Sequence, residues 1–162
     1  MKIIASTKQF TLRYVQKHVI PPVAARYLGS HIHPIRPKIH HLYANRDRDT
    51  LWWRVSIKQI QSYKRVVRSW SARRAKIAFR QALKERGFDA EGRRLQLEPG
   101  NDTPQNAPEG KEDNLTGSLE IIVHPQSILE SYSTVQSDMH SLVNSLMNKK
   151  LTASSNHKED KT

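Results

Sequence analysis

The chain has 162 residues, of which 27 are Lys or Arg and 15 are Asp or Glu, giving a formal charge of +12. That length suits one domain with polar extensions. The 36% hydrophobic content points to a small core. With no cysteine, disulfides, thiolate metal sites and a cysteine nucleophile are excluded, and no run approaches the ~20 apolar residues of a membrane-spanning helix.

The charge is unevenly spread. Residues 1–98 hold 22 basic and six acidic side chains, whereas residues 99–162 hold five and nine. A basic body with a mildly acidic remainder fits a polyanion binder or an interaction protein.

Residues 1–46 contain no acid. Ile4, Leu12, Val15 and Val19 fall on one helical stripe, with Lys8 and Arg13 off it. An Arg- and Ser-bearing, acid-poor amphipathic helix is the pattern of a mitochondrial transit peptide. An ordinary basic first helix of a nuclear or cytosolic protein is the alternative. Pro21-Pro22 stops such a helix. Gly29, Pro34 and Pro37 then make residues 29–41 an extended linker. His31, His33, His40 and His41 lie in it, but no Cys, Asp or Glu completes a metal-ligand spacing. No metal or other cofactor is expected.

The domain proper is expected over 47–150. Leu51, Trp53, Val55 and Ile57 alternate with Trp52, Arg54, Ser56 and Lys58, which predicts a half-buried strand. A helix follows over about 58–70. A second helix has Ser71 as its cap, an apolar face of Ala72, Ala75, Phe79, Ala82 and Leu83, and Gly87 as its stop. DAEG at 89–92 forms a turn, and 93–97 a short strand ending before Pro99.

Residues 99–114 are rich in Pro, Gly, Asn and acids without periodicity, as in a disordered acidic loop. Leu119, Ile121 and Val123 then share one face of a strand over 115–123, with Ile122 opposite. Ser127 and Glu130 make a capping-box pair. Ile128, Tyr132, Val135, Met139, Leu142 and Leu146 recur at steps of three and four on a helix to about Lys150. That seam predicts a helix lying across the sheet; coiled-coil pairing is the alternative. Residues 151–162 read as a flexible tail.

The expected fold is therefore α+β, a small antiparallel sheet of about three strands with helices packed on one face. No glycine-loop, dinucleotide, nucleophile-elbow or HExxH pattern occurs, so no catalytic residue is expected and a small-molecule substrate is not. Between Arg54 and Arg94 there are 13 Lys or Arg and only three acids. Arg65, Arg68, Arg73, Arg74, Lys76, Arg80, Arg93 and Arg94 are the candidate phosphate contacts. Trp52, on the polar phase of its strand, is the candidate base-stacking residue; Trp53 and Trp70 are assigned to the core.

The expected function is RNA binding, as a component or assembly factor of a mitochondrial ribosome or other mitochondrial RNA complex. The first alternative is an assembly or adaptor protein that binds a protein partner through 128–147, using Tyr132, Met139, Leu142 and Leu146. The second is a nuclear DNA-associated factor.

Overall fold

Seven consecutive residues, Gly117–Val123, form a strand whose every member is buried, and the other strands assemble around it. The computed structural model describes residues 1–95 and 114–159. In chain order the elements are β1 (Lys2–Ser6), β2 (Phe10–Val15), α1 (Pro22–Gly29), α2 (Arg36–Ala44), β3 (Leu51–Ser56), a 3-10 turn (Lys58–Ile60), α3 (Arg65–Lys84), β4 (Gly117–Val123), α4 (Gln126–Leu129) and α5 (Tyr132–Glu159). The sheet order is β1-β2-β4-β3. β1 and β2 form an antiparallel hairpin, β2 pairs antiparallel with β4, and β3 runs parallel to β4. The fold is thus α+β, with four strands in a mixed sheet rather than about three antiparallel ones. A parallel pair needs a crossover connection, and α3 supplies it.

The largest departure from expectation is at the start of the chain. Residues 1–15 form two strands, not an amphipathic helix. Phe10, Leu12 and Tyr14 point to the core at a period of two, while Thr11 and Arg13 face the other way. The helical stripe passed over Phe10 and Tyr14, although Phe10 is only 1% exposed. Burying a Phe or Leu side chain fully stabilises by ~1.5–3 kcal/mol, so this hairpin is an integral part of the core. The Thr7 hydroxyl accepts the Phe10 N–H at 3.1 Å and shapes the turn between the strands.

Pro22 and Pro37 begin helices instead of interrupting one. Pro22 opens α1 and Pro37 lies in the first turn of α2, where a missing N–H costs nothing. Of the expected extended linker, the part from Arg36 onward is therefore helical, and residues 30–35 form the turn between α1 and α2. The two helices expected over 58–86 are one 20-residue helix preceded by a single 3-10 turn. Ser71, the expected cap, is buried inside that helix. Alanine, arginine, lysine and glutamine are good helix formers and carry α3 through this position.

Gly87 does terminate α3. It has φ +78°, its N–H bonds to the Lys84 carbonyl, and the Phe88 N–H reaches back to the Leu83 carbonyl at 3.1 Å. This is a Schellman ending, and Phe88 packs back into the core. Phe88 and Arg94 then form an isolated antiparallel bridge in place of the strand expected over 93–97. Of that strand, Gln96 and Leu97 lie outside the described residues, as does the loop expected at 99–114 apart from Asn114. Gly117 opens β4 at φ +101°, where a Cβ would meet the Val15 carbonyl oxygen at 2.5 Å.

At the C-terminal end, the helix starts one turn later than the Ser127–Glu130 pair suggested. Ser131 Oγ accepts the Thr134 N–H at 3.3 Å and caps α5. Val135, Met139, Leu142, Val143 and Leu146 bury against α3 and the sheet. No helix among the described residues is long and apolar enough to cross a membrane.

Candidate nucleic-acid interface

The small side chains Ala75, Ala78 and Ala82, with Phe79 and Leu83, form the inward face of α3. Helical geometry then fixes what points out. Arg73, Lys76, Arg80 and Lys84 recur at steps of three and four and are all exposed. From Arg73 to Lys84 the stripe spans ~16 Å. Among the described residues, none of these four makes an ion pair. Arg80 does lie over the Trp53 ring, 5.7 Å from its centroid. The stripe is therefore a run of uncompensated cations on a rigid element.

Apolar surface borders it. Trp70 is 47% exposed, and Ile77 and Tyr132 are exposed to a similar degree. Together with Arg73, Arg74 and Glu130 they line a cleft of about 380 Å³ where α3 meets the start of α5. Trp70 is the aromatic available for stacking, and Trp52 is not. Trp52 sits on the face of the sheet away from α3, is only 7% exposed, and donates its indole N–H to the Asp47 carbonyl at 2.9 Å. His18 and Tyr43 press on its ring, and the Arg46 guanidinium lies 4.7 Å over it. Trp53 packs on Phe79 and donates to the Ala90 carbonyl.

The other expected phosphate contacts divide sharply. Arg74 donates to the Ser127 carbonyl at 3.0 Å and the Glu130 carbonyl at 2.6 Å, tying α3 to the α4–α5 junction. Its guanidinium also stacks 4.9 Å over Trp70. Arg68 is half-buried, with its Nε shut off from solvent and no acceptor among the described residues. Arg93 is exposed but paired with Asp47 at 2.8 Å and Glu91 at 3.6 Å. Arg94 is exposed beyond the helix end, 5.8 Å over the Phe88 ring. Arg65 is exposed at the first turn of α3. Of the eight cations expected to meet phosphate, Arg73, Lys76 and Arg80 thus share one open face. Lys84 joins them and was missed, although its spacing from Arg80 marked it.

Arg86 was not a candidate, and its environment shows why it is not available. It donates to the Ala82 and His140 carbonyls and to Asn144 Oδ1, and burial lowers its pKa from the usual guanidinium value despite Glu85 beside it.

Of the expected protein-binding residues, only Tyr132 is exposed. Met139, Leu142 and Leu146 lie within the chain's own core, so these three are occupied by contacts inside the chain. His33 accepts the Ile35 N–H and packs on Tyr27, and His41 bonds Asn45. No group of three or more His, Asp or Glu among the described residues is placed to hold a metal ion. Comparison of the chain with family models, with curated proteins and with solved structures finds no match.

Proposed function

We propose that this chain binds single-stranded RNA through the outward face of α3, as part of a ribonucleoprotein assembly. The observation that carries the reading is the stripe of Arg73, Lys76, Arg80 and Lys84, which no carboxylate among the described residues neutralises. Phosphates would replace condensed counterions along it, and counterion release would supply most of the affinity. Trp70, beside the stripe, offers a base one stacking surface, and such a contact contributes ~1–3 kcal/mol. RNA is favoured over duplex DNA because the exposed Trp70 ring beside the stripe can stack on an unpaired base, which a duplex does not present. The mitochondrial address read from residues 1–46 loses the amphipathic helix that supported it, and the proposal does not require that compartment.

The apolar cleft at Trp70, Ile77 and Tyr132 favours a second reading, in which an acidic protein surface occupies the same face. Affinity of the purified chain for a single-stranded RNA, with duplex DNA of equal length as competitor, separates these. The RNA reading expects single-stranded RNA to win, and charge reversal at Lys76 and Arg80 to abolish its binding. No RNA binding, together with a nuclease-resistant protein partner that Lys76→Glu releases, would establish the second reading instead.

A further inference from the structure

The face of the sheet turned away from α3 and α5 carries a cleft of about 560 Å³ that the RNA reading leaves unused. That volume is within the ~300–1,000 Å³ of ligand pockets. Its floor holds three charged side chains in register. Glu120 of β4 lies directly opposite Arg13 of β2 on one side and Arg54 of β3 on the other, on strands ~4.8 Å apart. Arg54 donates to Glu120 at 2.6 Å, and the carboxylate is only 8% exposed. This pair leaves Arg13 over. Its Nε is closed off from solvent and meets no acceptor among the described residues, an unfavourable state for a charged donor. Arg46 and Lys58 add two more cations at the rim, neither paired with a carboxylate among the described residues. The wall beside them is apolar, formed in part by Ile20 and Ile122.

We infer that this cleft binds a phosphomonoester of about mononucleotide size, with its phosphate held by Arg13, Arg46 and Lys58. Four cations around one carboxylate leave an excess that a dianion matches better than a carboxylate does, and a guanidinium presents paired donors to phosphate oxygens. At about 560 Å³ the cleft has room for one nucleotide and not for a run of them. The apolar wall then receives the body of the ligand. A free nucleotide and the 5′-phosphorylated end of an RNA present the same chemistry.

The test is calorimetric titration of the full chain with 5′-AMP, inorganic phosphate and adenosine. It is run beside a pair of short RNAs that differ only in a 5′-phosphate or 5′-hydroxyl. The expected result is saturable binding of 5′-AMP and phosphate but not adenosine, weakened about tenfold or more by Arg13→Gln and about threefold or more by Lys58→Ala. Lys58 is exposed, so that variant keeps the fold if Arg13→Gln does not. Tighter binding of the 5′-phosphorylated RNA than of its 5′-hydroxyl twin supports the cleft and names the strand end as its ligand. Equal binding of the two RNAs, with 5′-AMP still bound, supports it and names the free nucleotide. Replacing the α3 stripe with alanine should leave 5′-AMP binding unchanged, so this inference and the RNA reading fail separately. Binding of adenosine equal to 5′-AMP, no phosphate binding at millimolar concentration, or full affinity in Lys58→Ala would overturn it.

Discussion

Arg73 and Arg74 are neighbours in sequence and opposites in use. Arg73 projects from the open face of α3 with no carboxylate partner among the described residues, whereas Arg74 fastens the helix to two carbonyls at the α4–α5 junction. Arg86 repeats the second pattern at the other end of the helix, gripping Ala82, His140 and Asn144. Basic side chains flank the apolar inward face of α3, yet only those of the outward stripe meet no carboxylate among the described residues. The difference lies in what each guanidinium can reach. Where carbonyls of a neighbouring element come within reach, a guanidinium becomes a structural donor, whereas one that faces water keeps its charge exposed.

The sharpest way to break this distinction is to remove one arginine of each kind. Arg86→Ala should destabilise by ~2–3 kcal/mol, because several charge-assisted bonds are lost together; a urea unfolding curve reads this. Arg73→Ala should stay within ~0.5 kcal/mol of the parent, and equal losses from the two would erase the distinction. Next in size, replacing Arg73, Lys76, Arg80 and Lys84 by alanine should weaken RNA binding ~10–100-fold, about 1.4–2.7 kcal/mol, with the unfolding midpoint held. Trp70→Ala should remove ~1–2 kcal/mol of single-strand affinity, read by fluorescence anisotropy of labelled RNA.

The smallest effect concerns a side chain that the fold keeps from becoming a cation. His124 Nε2 lies 2.8 Å from Thr11 Oγ1, and burial lowers the imidazole pKa below its ordinary 6.5. The folded form therefore resists a proton that the unfolded chain accepts. Its contribution is present above pH 6.5 and is lost as pH falls from there through the lower folded value. His124→Gln should flatten that part of the stability–pH profile, and an unaltered slope would assign it to other groups.

What the sequence reveals of this fold depends on whether local pattern and tertiary pairing agree. In β4 the alternation of Leu119, Ile121 and Val123 is the core face itself, and in α5 the Val135–Leu146 seam is the packing surface, so both were readable. Gly87 marked the end of α3 because only a positive φ fits there. Residues 1–15 were not readable as strands from helical spacing, since two stripes coexist in them and only pairing with β4 selects the one through Phe10, Leu12 and Tyr14. Trp52 occupies the polar phase of β3, but α2 and the segment before β3 cover it, a long-range event that no local period signals. The candidate stripe was half legible for the same reason. Spacing identifies Arg73, Lys76 and Arg80, whereas the loss of Arg74 to carbonyls 53 and 56 residues away is visible only in three dimensions.

In the proposed function it is α3's outward cations, and not the chain's net charge, that meet the polyanion. The most direct test of this is the salt dependence of RNA affinity for the full chain and for the variant with Arg73, Lys76, Arg80 and Lys84 replaced by alanine. Four phosphate contacts to a single strand predict a slope of log affinity against log salt near −2.8 (about −0.7 for each contact). The variant should fall to a slope shallower than about −1. The same steep slope in both proteins would contradict the account and move the binding surface elsewhere on the molecule.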